Sequence, residues 1–324
     1  MTRREVVRAA IHHQETDRVP YNIRPDGEMG RKLRQHLGRS PEGSEQSLGR
    51  LDLNDLYFDN DVEMIRIPWW GWGPLEADWR GIYPPSSLPL ARGTGNYDTF
   101  YSELDTFRES NDRYILAMVY GSHFEKANSA RGFENFLMDI GGSYDFAKGL
   151  CQTIIDRNIA MLENILHCEA IDGVLLGSDW GSQQGLLMSP DTWDGLIRPG
   201  EQREYDLIHA YGKDVWVHSC GNIEAVIPRL VEMGVDVLNP LQPECMDVDA
   251  IKRDYGDRLA FWGGISTQKL LPFGSPEEVR EECRAFRERF CRGGGYIFAP
   301  AQDLQADVPF ENVEALLEVA RETR

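Results

Sequence analysis

The sequence predicts a single (β/α)8 TIM-barrel domain over residues 1–324, with residues 1–60 as an N-terminal helical cover. Three observations carry that expectation. From Ile115 onward, short apolar runs alternate with amphipathic helical stretches, a pattern that demands parallel strands joined by right-handed crossovers. No G-x-G-x-x-G lies between a strand and a helix, which removes the main reason to prefer a dinucleotide-binding sheet. Polar residues and glycines gather where the apolar runs end, the positions from which barrels build their sites.

Taken in order, a first helix is expected from about Arg3 to His13, stopping at Thr16-Asp17-Arg18-Val19-Pro20. A second runs from about Gly27 to Leu37 after the turn Pro25-Asp26-Gly27. Val62–Ile67 and Gly71–Trp79 read as short strands, and Gly81–Asn96, with three prolines and three glycines, reads as a loop. Barrel strands are expected at Ile115–Val119, Gly173–Leu176, Val215–His218, Val235–Asn239, Leu259–Trp262 and Tyr296–Ala299. Helices are expected at Ser143–His167, Pro190–Tyr211, Ile223–Met233, Val248–Tyr255 and Pro276–Arg289. Within Pro190–Tyr211, the residues Arg198, Glu201, Arg203, Glu204 and Asp206 read as a solvated face with i,i+3 and i,i+4 pairs. Gly293-Gly294-Gly295 precedes its strand and reads as a turn. The stretch Pro68-Trp69-Trp70-Gly71-Trp72-Gly73, with Trp79, reads first as core, with a lid or dimer surface and a ligand-stacking platform as alternatives.

Charge and composition narrow the function. Lys+Arg 34 against Asp+Glu 53 leaves a net charge of −19, which argues against nucleic acid or an anionic membrane surface as partner. There is no N-terminal apolar h-region and no apolar run long enough for a membrane span. Six cysteines scattered through the chain fit reduced thiols better than a disulfide framework. The expectation is a cytoplasmic, acidic protein that acts on a small molecule. Barrels of this class often pair, so a homodimer is the assembly to test.

Five strand ends carry the candidate chemistry: Gly177-Ser178-Asp179-Trp180-Gly181-Ser182-Gln183, His218-Ser219-Cys220, Asn239-Pro240-Leu241-Gln242, Gly263-Gly264-Ile265-Ser266-Thr267-Gln268 and Pro300-Ala301-Gln302-Asp303. His218 and Cys220 sit two apart, so on an extended strand end imidazole and thiol point to one side. That nitrogen–sulfur pair suits a borderline-soft divalent metal such as zinc. The same spacing also fits a satisfied histidine beside an inert cysteine. Asp179 and His218 are the candidates for proton transfer. Trp180, Gln183, Gln242 and Gln302 are candidates for substrate contact, and Arg24 and Asp61 are candidates to reach the same mouth from the N-terminal part. His123, after the Ile115–Val119 strand, is a further rim candidate.

The order of these motifs resembles the uroporphyrinogen decarboxylase-like superfamily, which includes zinc-dependent methyltransferases acting with corrinoid proteins. The resemblance lies in Thr16-Asp17-Arg18-Val19-Pro20, Asp179-Trp180-Gly181-Ser182-Gln183, Leu187-Met188-Ser189-Pro190, His218-Ser219-Cys220-Gly221-Asn222, Gly234 to Pro240, Phe261-Trp262-Gly263-Gly264-Ile265 and Val308-Pro309. It implies a β/α barrel.

The resemblance also separates two branches. The decarboxylases act without metal on a substrate with eight carboxylates and carry an arginine-rich R-Q-A-G-R-Y pattern after the opening motif. Here that stretch reads Tyr21-Asn22-Ile23-Arg24-Pro25-Asp26-Gly27-Glu28, with Arg24 alone among acidic neighbours. The methyltransferase branch holds zinc with an H-x-C pair and a distant cysteine. His218 and Cys220 match the pair, but the distant position is Gln302, so Asp303 is the better third ligand by type, with Cys245 or Glu244 as substitutes. What the resemblance implies is a zinc-dependent methyltransferase or demethylase, with a corrinoid or a folate as methyl carrier and a corrinoid protein as partner. A metal-free lyase and a non-catalytic ligand-binding barrel are the alternatives.

Overall fold

The computed structural model describes residues 1–39, 57–67, 71–72, 82–83, 96–119 and 121–323. In chain order it begins with helices α1 (Arg3–Ile11) and α2 (Gly27–His36), then strand β1 (Val62–Arg66) and the two-residue strands β2 (Gly71–Trp72) and β3 (Ile82–Tyr83). Helix α3 (Asn96–Ser110) leads to β4 (Tyr114–Val119), α4 (Phe124–Arg131), α5 (Phe133–Gly142), α6 (Tyr144–Ile165) and β5 (Gly173–Gly177). Next come α7 (Pro190–Leu196), α8 (Arg198–Ala210), β6 (Asp214–His218), α9 (Ile227–Glu232) and β7 (Val237–Asn239). The chain closes with α10 (Val248–Tyr255), β8 (Ala260–Ile265), α11 (Leu270–Phe273), α12 (Pro276–Phe290), β9 (Tyr296–Pro300) and α13 (Phe310–Ala320). Strand and helix alternate with parallel pairing, so the chain is α/β, as the periodicity predicts.

Two compact units divide these elements. The first comprises Met1–Glu63, Asp112–Tyr114 and Asp236–Arg324; the second comprises Met64–Asn111 and Ile115–Val235. In the second unit β4, β5 and β6 pair in parallel, with Leu116 opposite Gly173 and Gly173 opposite Asp214. Val174, Leu175 and Leu176 are all buried, as are Val215, Trp216 and Val217, because both faces of a parallel sheet are covered. In the first unit β7, β8 and β9 pair in parallel, and α12 packs along α13.

The N-terminal region is more than the helical cover expected from sequence. Between α1 and α2 the extended chain lies parallel to β9 and beyond it, bridging Tyr21 to Phe298 and Pro25 to Leu304. Asn22 N–H donates to Phe298 O at 3.0 Å and Leu304 N–H to Arg24 O at 2.7 Å. Arg18 anchors this run by forking onto Asp61 at 2.7 and 2.5 Å. Residues 40–56 of the expected cover lie outside the described residues.

Helix ends follow their caps. Thr2 and Ser275 each form a reciprocal box with a glutamate three residues on, Glu5 and Glu278. Ser189 caps α7, with Pro190 in its first turn. The expected helix Pro190–Tyr211 is two helices, α7 and α8, divided at Ile197. Pro199 explains the break, since it lacks an N–H and disfavours helical geometry in the residue before it. The expected helix from Ile223 begins as a 3-10 turn, Glu224–Val226, before α9. Strand β8 runs through Gly263-Gly264-Ile265, which the sequence suggested as a loop. Gly264 is needed there because a Cβ would lie 2.3 Å from the Phe286 ring.

The tryptophan stretch lies outside the described residues except for Gly71 and Trp72, whose backbone pairs antiparallel with Ile82 and Tyr83 inside the expected loop. No helix among the described residues is long and apolar enough to cross a membrane.

Candidate active site at the ends of β5 and β6

Parallel register builds the site. Gly177 at the end of β5 is opposite His218 at the end of β6, so continuing two residues along both chains brings Asp179 alongside Cys220 on the same side of the sheet. Asp179 Oδ1 accepts the Cys220 N–H at 2.8 Å. The same carboxylate oxygen lies 3.6 Å from His218 Nε2, and Cys220 Sγ lies 3.4 Å from that nitrogen. Carboxylate, imidazole and thiol thus converge, their ligand atoms within 4.8 Å of one another. His218 and Asp179 keep side-chain exposures of 25% and 41%, so the cluster is open to a ligand.

Two glycines hold the loops together. Gly221 has φ +82°, and a Cβ there would lie 2.5 Å from Gly181 C; a Cβ on Gly181 would lie 2.7 Å from Cys220 O. Backbone therefore packs directly on backbone, tied by Asn222 N–H to Ser182 O at 2.7 Å. The Trp180 N–H donates to Ser219 Oγ at 3.0 Å, and Ser178 N–H donates to His218 O at 3.0 Å. Trp180, expected to touch substrate, is fully buried and packs edge-on to Trp193 with ring centroids 5.3 Å apart. It is a wedge beneath the loop, since an edge-to-face pair adds about 0.5–1.5 kcal/mol to its burial. Gln183 is exposed on the same loop.

Sequence reasoning missed Glu125. It lies on the first turn of α4, half-buried, and its carboxyl is pushed up to about 7, first by desolvation and then by the Asp179 charge, with Lys126 opposing. A signal is present in the sequence, because Ser122-His123-Phe124-Glu125 follows a strand end, as the five candidate segments do.

His123 is not at the rim. It is fully buried, and so are Glu201 and Glu204, which the sequence suggested as a solvated face. The apolar stripe Ile197, Tyr205, Ile208 runs through positions 201 and 204 at helical spacing, and that stripe is the face α8 turns inward. Gly200 allows the close approach, for a Cβ there would lie 2.7 Å from Ile155 Cγ1.

The remaining candidates belong to the first unit. Arg24 Nη2 reaches Asp303 Oδ2 at 3.2 Å, a half-buried ion pair that engages the carboxylate expected as third metal ligand. The residue that completes a ligand-type cluster with His218 and Cys220 is Asp179. Gln302 is exposed, and its Oε1 accepts the Asp303 N–H at 3.3 Å. Gln242 is buried, and its carbonyl oxygen accepts from the Cys245 thiol at 3.7 Å. Glu244 accepts from Ser266 Oγ. Asp61, expected at the mouth, is buried beneath Arg18 and accepts the Tyr21 N–H at 2.9 Å, so it is an anchor rather than a mouth residue.

The donor set fits a divalent metal. Ligand atoms at zinc distances of about 2.0–2.3 Å in tetrahedral arrangement stand about 3.5 Å apart, and the nitrogen–sulfur and nitrogen–oxygen separations here are 3.4 and 3.6 Å.

The family model and the sequence relatives agree on the family. The family model described as Uroporphyrinogen decarboxylase (URO-D) matches residues 84–323. The uroporphyrinogen decarboxylase of Methylococcus capsulatus is 24% identical over 200 residues, covering 58% of this chain and 55% of that protein. That of Hydrogenovibrio crunogenus is 22% identical over 211 residues, with the same shares of 58% and 55%. The chain thus spans about half the length of the relatives it matches. A solved methyltransferase from Methanosarcina mazei superposes with a TM-score of 0.76 at 17% identity, covering 99% of this chain and 98% of that one. At that identity the likeness concerns the fold.

Proposed function

This chain belongs to the uroporphyrinogen decarboxylase (URO-D) family, and within it we propose a metal-dependent methyltransferase whose site is the Asp179–His218–Cys220 cluster. The observation that carries the reading is the convergence of thiol, imidazole and carboxylate at two adjacent strand ends. A site for a polycarboxylate would gather arginines, whereas the groups brought together here are Asp179, Glu125 and a thiol, and Arg24 is engaged by Asp303. The same proposal takes the fold as an eight-stranded barrel, supported by its likeness over the full chain to the methyltransferase.

His218 Nε2, Cys220 Sγ and an Asp179 oxygen would hold the metal, leaving a fourth position open. When bound, a zinc ion supplies Lewis acidity that keeps a thiol acceptor ionised near neutral pH. The Cys220 N–H fixes one Asp179 oxygen, so the carboxylate keeps its orientation while a ligand enters. Glu125, its carboxyl pushed up to about 7 by burial and then by the Asp179 charge, would accept a proton from an incoming thiol. A small methylated substrate and a corrinoid or folate carrier are the partners this chemistry requires.

The test is metal content in protein purified without a chelating column, with methyl transfer from a methylated corrinoid to a thiol as the activity. One zinc per chain is expected at this cluster, and His218→Ala and Cys220→Ser should each lose that equivalent, with activity falling at least about 100-fold. Protein without zinc, and indifferent to His218→Ala, overturns the proposal. Decarboxylation of a porphyrinogen by that same variant would instead support the activity named in the relatives.

A further inference from the structure

A second set of ligand-type groups lies in the interior of the second unit, built from residues the strand-end site does not use. His123 follows β4, and Glu201 and Glu204 stand one turn apart on α8; all three are fully buried. Their ligand atoms lie within 4.8 Å of one another. His123 Nδ1 is 3.2 Å from Glu201 Oε1, and Ser122 Oγ is 2.9 Å from Glu201 Oε1 and 2.8 Å from Glu204 Oε2. Asn158 Nδ2 donates to Glu204 Oε1 at 2.8 Å, and Lys126 Nζ donates to Asn158 Oδ1 at 2.7 Å. Tyr205, also fully buried, faces both carboxylates.

We propose that His123, Glu201 and Glu204 form a second, fully enclosed divalent-cation site that ties α8 to the turn after β4.

Three observations support it. Two fully buried carboxylates face one ammonium, that of Lys126, and burial penalises each charge left uncompensated. The Ser122 hydroxyl has one proton for two carboxylate oxygens, so serving both without a cation requires the His123 Nδ1 proton on Glu201 Oε1. Finally, His123 Nε2 and Glu201 Oε2 are buried without a hydrogen bond, and the Tyr205 hydroxyl, itself unpartnered, is the protein donor that faces Glu201. A proton on Glu204 would cancel the charge but leave Glu201 Oε2 bare, whereas a cation held between the two carboxylates would serve both needs. One imidazole and two carboxylates suit a first-row divalent ion, and full enclosure makes the role structural.

The test uses the full chain, expressed in metal-restricted medium and equilibrated with zinc alone. The double variant His218→Ala/Cys220→Ser, which empties the strand-end site, is expected to keep one zinc per chain. Zinc should also raise its melting temperature by several degrees. Adding Glu201→Gln, an isosteric change, should abolish both effects. X-ray absorption at the zinc edge of the double variant should show nitrogen and oxygen neighbours without sulfur, a readout that stands even if the triple variant fails to fold. A double variant that binds no zinc, a zinc shell containing sulfur, or a zinc content unchanged by Glu201→Gln overturns the proposal. The two sites fail separately: wild-type zinc lost entirely in the double variant removes the buried site, and zinc equal in both proteins removes the strand-end one.

Discussion

Cys220 serves the site twice. Its amide orients Asp179 and its sulfur faces the His218 nitrogen, so a side-chain substitution removes a ligand without removing the backbone bond that sets the carboxylate. Cys220→Ser should therefore lower metal affinity while leaving the melting temperature of metal-free protein within about a degree or two, the scale of a small surface change. Glu125 makes a different prediction. Its folded pKa is raised from 4.5 to about 7, so the folded state holds this proton more tightly than the unfolded chain does. That contribution is fully present below the unfolded value and is lost as pH rises through about 7. In chelator-treated protein, melting curves between pH 5 and 7 should show stability falling with pH. Glu125→Gln should flatten that fall, and an unchanged slope would mean that burial and the Asp179 charge do not raise this carboxyl.

Elements place those residues. The loops after β5 and β6 leave parallel strands in register, and their contact depends on Gly181 and Gly221 having no Cβ. Gly221→Ala forces a side chain onto a positive φ and onto neighbouring backbone, at a cost of at least about 1–3 kcal/mol. Both the melting temperature and zinc retention should fall together in that variant; loss of one alone would show that the loop clasp and the metal cluster are independent. Helix α8 illustrates an element whose sequence reads two ways. Charges at 198, 201, 203, 204 and 206 resemble a solvated stripe, yet Arg203 stays at the surface with Asp156 while Glu201 and Glu204 turn inward. Charge identity alone does not decide which face is buried; the apolar residues sharing that face do.

At the scale of the molecule, chemistry is confined by burial. The thiols of Cys151 and Cys283 are raised by desolvation, Cys283 to about 12 and Cys151 further, so neither should react with iodoacetamide at pH 8 in native protein. Cys220, half-buried, should be alkylated, and zinc should slow its modification as read by peptide mass spectrometry. The net charge of −19 sets up self-repulsion that salt screens. Raising ionic strength from about 0.01 to 0.15 M should thus raise the melting temperature of chelator-treated protein, and a fall would show that surface ion pairs outweigh net repulsion.

Much of this protein was legible in its residues. Apolar periodicity located β4 through β9 to within a few residues, because a strand buried on both faces is an apolar run whatever surrounds it. Spacing put His218 and Cys220 on one side of a strand end, since side-chain alternation is local geometry. Pro199 marked the break between α7 and α8, though only the structure drew attention to it. Tertiary structure alone decided the rest. Strand register, which no single strand encodes, brought Asp179 to the pair. Helix packing decided that Glu201, Glu204 and His123 share a dry interior, because which face of a helix is covered depends on its neighbours. The sequence by itself determined the elements and the spacing of His218 and Cys220; the structure set Asp179 beside them, because groups distant along the chain meet only through strand register.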